Sequence, residues 1–142
     1  MSLPHRTLTI AGRALAGLAA LSALAAAISC IGDLSKADNA TLVVQSWRMY
    51  GLFLCAGLFA LLAARPEGNG TVWALGIANK TALTLTAAHY MTVGGIAESA
   101  KTVSRDGGLT LLLISAYLLC RTGAARRAAA HPGGEVPSGL HP

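Results

Sequence analysis

The chain has few charged and few aromatic residues, and both shortages narrow the class of protein. Of its 142 residues, 12% are charged and 5% are aromatic, whereas 54% are hydrophobic. A soluble domain of this size carries more charge and far less apolar material, so the composition predicts a membrane protein. Alanine and leucine supply most of the apolar content, which favours close contact between helices. The Ala, Gly and Arg bias is also typical of a GC-rich bacterial genome.

The residue patterns of several chemistries are missing as well. The cysteines, Cys30, Cys55 and Cys120, have predicted depths too different for a disulfide between any two of them. There is no C-x-x-C pair, no Gly-rich phosphate loop and no His, Cys, Asp or Glu cluster with metal-ligand spacing. We therefore predict no metal site, and the sequence names no cofactor. The arginines border apolar runs and do not line a polar face, so we expect no nucleic-acid partner.

The sequence does contain four apolar segments long enough to cross a lipid bilayer, its expected partner. A span needs about 20 residues to cross roughly 30 Å of hydrocarbon, and the candidates are residues 8–31, 44–64, 71–93 and 102–120. The third contains several polar side chains, and the fourth takes its first turns from "TVSRDGG". These segments predict an all-α integral membrane four-helix bundle in residues 1–120. Residues 121–142 are basic and rich in Pro and Gly, and we predict a disordered tail there.

Basic residues predict the orientation of this bundle. Arginines without matching acidic residues lie at the N-terminus, between the second and third segments, and in the C-terminal tail. The positive-inside tendency places these parts in the cytoplasm, so both termini of a multi-pass cell-membrane protein are predicted to be cytoplasmic.

A competing interpretation treats the first segment as a cleaved signal. A basic start, an apolar run and small residues before Cys30 resemble a secretory or lipoprotein signal. The apolar run covers residues 14–31, longer than the roughly 7–15 residues of a signal's central region. We therefore expect the segment to be retained. Cleavage would leave three spans.

The first segment also carries a stripe of small residues spaced three or four apart, here called the small-residue stripe. Such spacing places them on one helix face, where a second helix can approach closely. The stripe therefore predicts a helix interface, either within the chain or with another copy or partner subunit. Its members are Gly12, Ala16, Ala19, Ala23 and Ala27.

The strongest indication of a functional interior is Lys80, in the middle of "VWALGIANKTALTLTAAHYM". A lysine near the bilayer centre costs about 2.5–3.5 kcal/mol, so it should face the bundle or a wet cavity. At helical spacing Thr84 shares its face, whereas Asn79, His89 and Tyr90 form a second polar stripe. All five are candidate ligand-binding residues.

The partner of Lys80 is left open by the sequence. No carboxylate is expected at the same depth in another span, so the predicted partners are polar groups of Thr110, Ser115 or Tyr117, water, or a ligand anion. A lysine satisfied by neighbouring polar groups without any functional role is the alternative.

A second polar cluster is predicted at the outer ends of the spans. Asp33, Arg48 and Asp106 are its candidate ligand-binding members, together with His89 and Tyr90, and an ion pair of Arg48 with Asp106 or Asp33 is expected. Ordinary interfacial charges are expected at Glu98, Lys101 and Arg105.

Two short motifs resemble a known family. "WRMYGLFL" opens the second span and "RDGGLTLLLISAYLL" the fourth, and four short spans with these motifs are similar to small DoxX-like bacterial membrane proteins and related four-span families. The resemblance implies a link to quinone-dependent sulfur oxidation, because DoxX is similar to a subunit of such an oxidoreductase. Lys80 matches no part of that pattern.

Three functions are compatible with these features. The favoured one is binding of a small hydrophobic or anionic, lipid-like ligand, or docking of a partner subunit, at a polar pocket between helices. The second is an enzyme, or a subunit of a quinone-linked oxidoreductase, that uses Lys80 as a base or electrostatic anchor. The third is a structural accessory protein without a site.

Overall fold

The computed structural model describes residues 4–94 and 96–130 of the chain. These residues form four α-helices: α1 (His5–Leu34), α2 (Leu42–Ala64), α3 (Gly70–Val93) and α4 (Ser99–Ala130). The prediction of an all-α protein with four helices is therefore confirmed. The first three helices follow the apolar segments closely, because each run supplies one uninterrupted helix and the links contain the polar and turn-forming residues.

The fourth helix is longer than its predicted segment. It begins at Ser99 and continues to Ala130, so residues 121–130 are helical and not disordered. Alanine and arginine dominate this extension and both have high helix propensity. In addition, Arg127 pairs with Glu67 at 3.3 Å, which ties the extension to the link before α3. Residues 131–142 of the predicted tail lie outside the described residues.

The helices do not pack evenly around the bundle. α1 packs extensively on both α2 and α4, and α4 also packs on α3. α3 barely touches α2. The order around the bundle is therefore α2, α1, α4, α3, with a thin seam where α3 and α2 would close the ring.

The small-residue stripe forms the centre of the well-packed part. All its members are buried in the described structure, and the four alanines are fully inaccessible. A Cβ atom on Gly12 would lie 2.8 Å from the carbonyl oxygen of Ala116 and 3.0 Å from the amide nitrogen of Cys120. The stripe is therefore a true helix interface, but α2 and α4 of the same chain occupy it. A signal cleavage before Cys30 would remove the helix on which both of them pack.

The exterior of the bundle is apolar. Large side chains on every helix are well exposed, among them Leu21 and Leu54 at 65% and Leu111 at 69%. Helices α1, α2 and α4 are long and apolar enough to cross a membrane, whereas α3 is not among the helices that meet this criterion. Such an exterior suits hydrocarbon and would be an aggregation hazard in water.

Candidate ligand site between α2, α3 and α4

A cleft of about 420 Å³ lies where α2, α3 and the start of α4 come together. It exists because α3 packs on α4 and barely touches α2. Gly51 widens it, since a Cβ atom there would have no neighbour within 4 Å. Both Gly51 and Leu83 are exposed, so the cleft opens to the outside along the seam between α2 and α3. Its lining residues are Arg48, Gly51, Leu52, Cys55, Asn79, Lys80, Leu83, Glu98, Thr102, Arg105 and Asp106.

A buried ion pair forms the inner wall of this cleft. The Nζ atom of Lys80 donates to Oδ1 of Asp106 at 2.9 Å, and the two side chains are 3% and 4% exposed. Lys80 thus lies inside the protein, as the cost of a cation in hydrocarbon requires. The expectation that Lys80 has no carboxylate partner from another span was wrong, and Thr110, Ser115 and Tyr117 are not its hydrogen-bond partners.

The register of α3 against α4 explains how the pair forms. A Cβ atom on Gly107 would lie 3.4 Å from Cγ2 of Thr84, so Gly107 sits level with the turn that follows Lys80. The lysine side chain therefore extends about one helical turn, roughly 5.4 Å, toward the C-terminal end of α3 to reach Asp106. The sequence-based estimate compared backbone depths and omitted this reach. It also placed the start of α4 too late.

The backbone carbonyl of each member of the pair accepts a hydrogen bond from a threonine side chain of its own helix. Thr84 donates its hydroxyl to the carbonyl oxygen of Lys80 at 2.8 Å, and Thr110 donates to that of Asp106 at 2.8 Å. These bonds satisfy the hydroxyls within their own helices. They leave the ammonium and the carboxylate to neutralise each other, which offsets part of the cost of burying two charges.

A second ion pair forms the outer rim of the cleft. Arg48 Nη1 lies 3.2 Å from Oε2 of Glu98, with the two side chains 26% and 53% exposed. The expected pairing of Arg48 with Asp106 or Asp33 is therefore wrong. Asp106 is taken by Lys80, and Asp33 is exposed at the end of α1. Lys101 approaches Glu98 from the other side, at 3.8 Å.

One cation in the cleft has no counterion. Arg105 lines the same cleft as the two ion pairs, and within residues 4–94 and 96–130 its Nε atom is buried without a hydrogen-bond partner. The same described residues offer it no ion pair. A buried donor without an acceptor is costly, roughly 1–3 kcal/mol or more for a charged group. Sequence analysis had assigned Arg105 to the interface, whereas the structure places it beside the buried pair.

The predicted site residues are only partly brought together. Lys80, Asn79, Arg48 and Asp106 line the cleft. Thr84 lies between α3 and α4, facing a shallower groove on the other side of Gly107. The remaining predicted members lie away from the cleft and are exposed; they are Asp33, His89 and Tyr90.

Several lining residues had no sequence signal that singled them out. Leu52, Cys55 and Leu83 are ordinary apolar residues of long apolar helices, and Gly51 belongs to a weak small-residue pattern in α2. Charge counting does not single out Glu98 and Arg105 either, because residues 98 to 106 carry two cations and two carboxylates. Among the described residues, no three His, Cys, Asp or Glu side chains come close enough to hold a metal ion.

Comparison with protein-family models, curated proteins and solved structures finds no match to this chain. The resemblance to DoxX-like proteins therefore stays a prediction that rests on two short motifs. The cleft itself is the basis for the functional argument.

Proposed function

We propose that the chain is a four-span membrane protein that binds a small lipid-like molecule in the cleft between α2, α3 and α4. The observation that carries the proposal is the cleft of about 420 Å³ that reaches a buried ion pair and opens along the seam between two helices. Its volume falls in the range of roughly 300–1,000 Å³ that small-molecule sites occupy. An opening on the outer surface of the bundle would let a ligand enter directly from the bilayer.

The proposal includes α3 as the fourth span. Its 24 residues, at about 1.5 Å each, give about 36 Å, enough for the hydrocarbon core. Its low hydropathy arises partly from Lys80, whose charge Asp106 neutralises inside the bundle. The outward side chains Leu75 and Leu85 are 64% and 65% exposed, as lipid contact requires.

We further propose that the end of the bundle opposite the cleft is cytoplasmic. The side chain of Arg13 donates to the carbonyl oxygen of Ala63 at 2.8 Å, and Arg127 pairs with Glu67. The start of α1, the end of α2 and the end of α4 therefore share one end, which collects most of the arginines. The positive-inside tendency favours the cytoplasm for that end and the outer face for the cleft.

The rival functions have less support. Lys80 as a catalytic base needs a free neutral amine, but its nitrogen lies 2.9 Å from a carboxylate oxygen. Docking of a partner on the small-residue stripe needs an accessible face, but α2 and α4 cover it. The quinone-linked alternative rests on sequence motifs alone.

The test fills the cleft without touching the charges. In Gly51→Leu the new side chain would occupy open space within the cleft. Gly57→Leu is the control, because it adds the same side chain to open space on the same helix but outside the cleft. Full-length protein in neutral detergent is titrated with oleyl alcohol and with oleate, and bound molecules are counted by native mass spectrometry. We expect saturable binding in the wild type and Gly57→Leu, and a loss of roughly tenfold or more in affinity in Gly51→Leu, because the leucine side chain and a ligand cannot occupy the same space.

Two results would contradict the proposal. One is the absence of saturable binding of both probes to the wild type. The other is equal binding by Gly51→Leu and Gly57→Leu, which would place any bound probe elsewhere on the apolar exterior.

A further inference from the structure

The charges that line the cleft do not balance. Three cations, Arg48, Lys80 and Arg105, face two carboxylates, Glu98 and Asp106. Each carboxylate already has a cation of the cleft within ion-pair distance. Arg105 is therefore the excess positive charge, in a space whose remaining wall is mostly apolar.

The excess cation is partly buried and lines the cleft. Its Nε atom is buried and has no acceptor among the described residues, yet the side chain borders an open cavity. A guanidinium presents several N–H donors in one plane and binds carboxylate or phosphate through two parallel hydrogen bonds. An anionic oxygen group in the cleft would therefore supply the guanidinium of Arg105 with the counter-charge that the described residues do not provide.

The apolar lining indicates what the anion would be attached to. Leu83 of α3 is exposed beside the seam where the cleft opens to the exterior, and Leu52 of α2 is buried in the opposite wall. An apolar chain could leave the cleft between them and continue along the lipid-facing surface. The volume of about 420 Å³ suits one chain better than the two chains of a phospholipid.

We infer that the ligand is a single-chain amphiphile with one anionic oxygen group, and that Arg105 is its headgroup anchor. The inference rests on the proposed function and adds the chemical class of the ligand. The anion would sit between the two ion pairs, with Arg48 at the outer rim and Lys80 at the inner wall contributing to the positive potential. Neither of those two would need to release its carboxylate.

The experiment compares an anionic with a neutral ligand of the same chain. Oleate and oleyl alcohol are titrated separately into full-length wild type, Arg105→Gln, Arg105→Lys and the control Arg65→Gln. Arg65 lies just after α2 at the opposite end of the bundle, so its substitution changes the net charge equally without touching the cleft. Folding of each variant is checked by circular dichroism and by its elution volume.

We expect wild type and Arg65→Gln to bind oleate on the order of tenfold or more tightly than oleyl alcohol, because charge-assisted hydrogen bonds to a guanidinium are strong. Arg105→Gln should lose this preference and keep its affinity for oleyl alcohol. Arg105→Lys should retain an intermediate preference, because it keeps the charge and loses the paired donors.

Equal affinity of wild type for oleate and oleyl alcohol would overturn the inference, and so would an oleate preference that survives in Arg105→Gln. The proposed function would stand in both cases if Gly51→Leu still abolished binding. A third arm adds phosphatidylglycerol as a competitor. Failure to displace oleate supports a single-chain ligand, whereas displacement that depends on Arg105 overturns the single-chain part and identifies a phospholipid headgroup as the anion.

Discussion

The part of the bundle built around α1 is closely packed, whereas the part built around α3 is packed loosely. α1 presents alanines and one glycine, so α2 and α4 can approach it closely. α3 presents Lys80 and several threonines, packs mainly on α4 and only slightly on α2, and leaves a seam with α2. In the first arrangement the helices pack extensively. In the second they pack less and leave a space that charged side chains line. The candidate ligand site therefore lies in the part built around α3.

The largest expected effect comes from breaking the buried ion pair. Lys80→Met leaves Asp106 buried without a partner, which should lower the free energy of unfolding by about 3–5 kcal/mol. Adding Asp106→Leu should restore most of that loss, because no uncompensated charge remains. Unfolding in mixed micelles, followed by circular dichroism as dodecyl sulfate is increased, measures both. For this reason a loss of activity in Lys80→Met alone would not by itself show a role in binding.

Lys36→Met is the control for this cycle, because Lys36 is exposed in the link between α1 and α2. If Lys80→Met were no less stable than Lys36→Met, or if the double variant were less stable than either single variant of the pair, the ion pair would not hold the α3 part together.

A smaller effect is expected in the closed part. Gly12→Ala places a methyl group 2.8 Å from the carbonyl oxygen of Ala116, so α1 and α4 must separate, at a cost of about 1–3 kcal/mol. Gly17→Ala changes the same helix where no atom lies within 4 Å, and should stabilise it by about 0.5–1 kcal/mol. The same dodecyl sulfate titration compares them. Equal stability of the two variants would mean that the small-residue stripe is not closely packed.

The smallest effect concerns an exposed carboxylate, in contrast to the buried Asp106. The hydroxyl of Thr41 donates to Oδ1 of Asp38 at 2.6 Å and its amide does so at 2.8 Å, and these bonds lower the pKa of Asp38 below its ordinary value. A folded-state pKa below the unfolded one means that the stabilisation is present above the unfolded pKa and is lost as the pH falls through the folded pKa. Thr41→Val removes the hydroxyl and keeps the amide, so the pKa of Asp38 should rise partway to its ordinary value.

Carbon-detected NMR titration of the Asp38 carboxyl group measures this shift. Thr92→Val serves as the control, since Thr92 donates to the carbonyl oxygen of His89 and lies far along the chain, in α3. An unchanged pKa in Thr41→Val would show that the hydroxyl bond does not form in solution.

The helices and the closed part were predictable because both depend on local patterns. Apolar runs of sufficient length indicate helices, and residues spaced three or four apart indicate one face. The stripe from Gly12 to Ala27 was therefore identified correctly as an interface. The extension of α4 was not predicted, because the basic, Pro- and Gly-rich composition of the whole tail was given more weight than the high helix propensity of residues 121–130.

The site was predictable only in part. The cost of a charge in lipid indicated that Lys80 faces inward, and burial of its side chain agrees with this. Its pairing with Asp106 depends on the reach of the lysine side chain and on a helix start that apolar runs do not mark. Asp106 pairs with Lys80 and Arg48 pairs with Glu98, so Arg105 has no counterion within residues 4–94 and 96–130. Because the position of Asp106 was misjudged, the predicted partners of both Lys80 and Arg48 were wrong.

By itself the sequence determined that the chain forms four helices, which face of α1 is packed, and that a lysine in an apolar helix must be sheltered. These follow from residue type and spacing within single helices. Only the tertiary structure decided which charges meet, that α2 and α3 pack only slightly on each other, and that Arg105 has no counterion among the described residues of the cleft. The physical reason is that an ion pair or a cavity depends on the relative register and separation of helices, which contacts between distant parts of the chain determine.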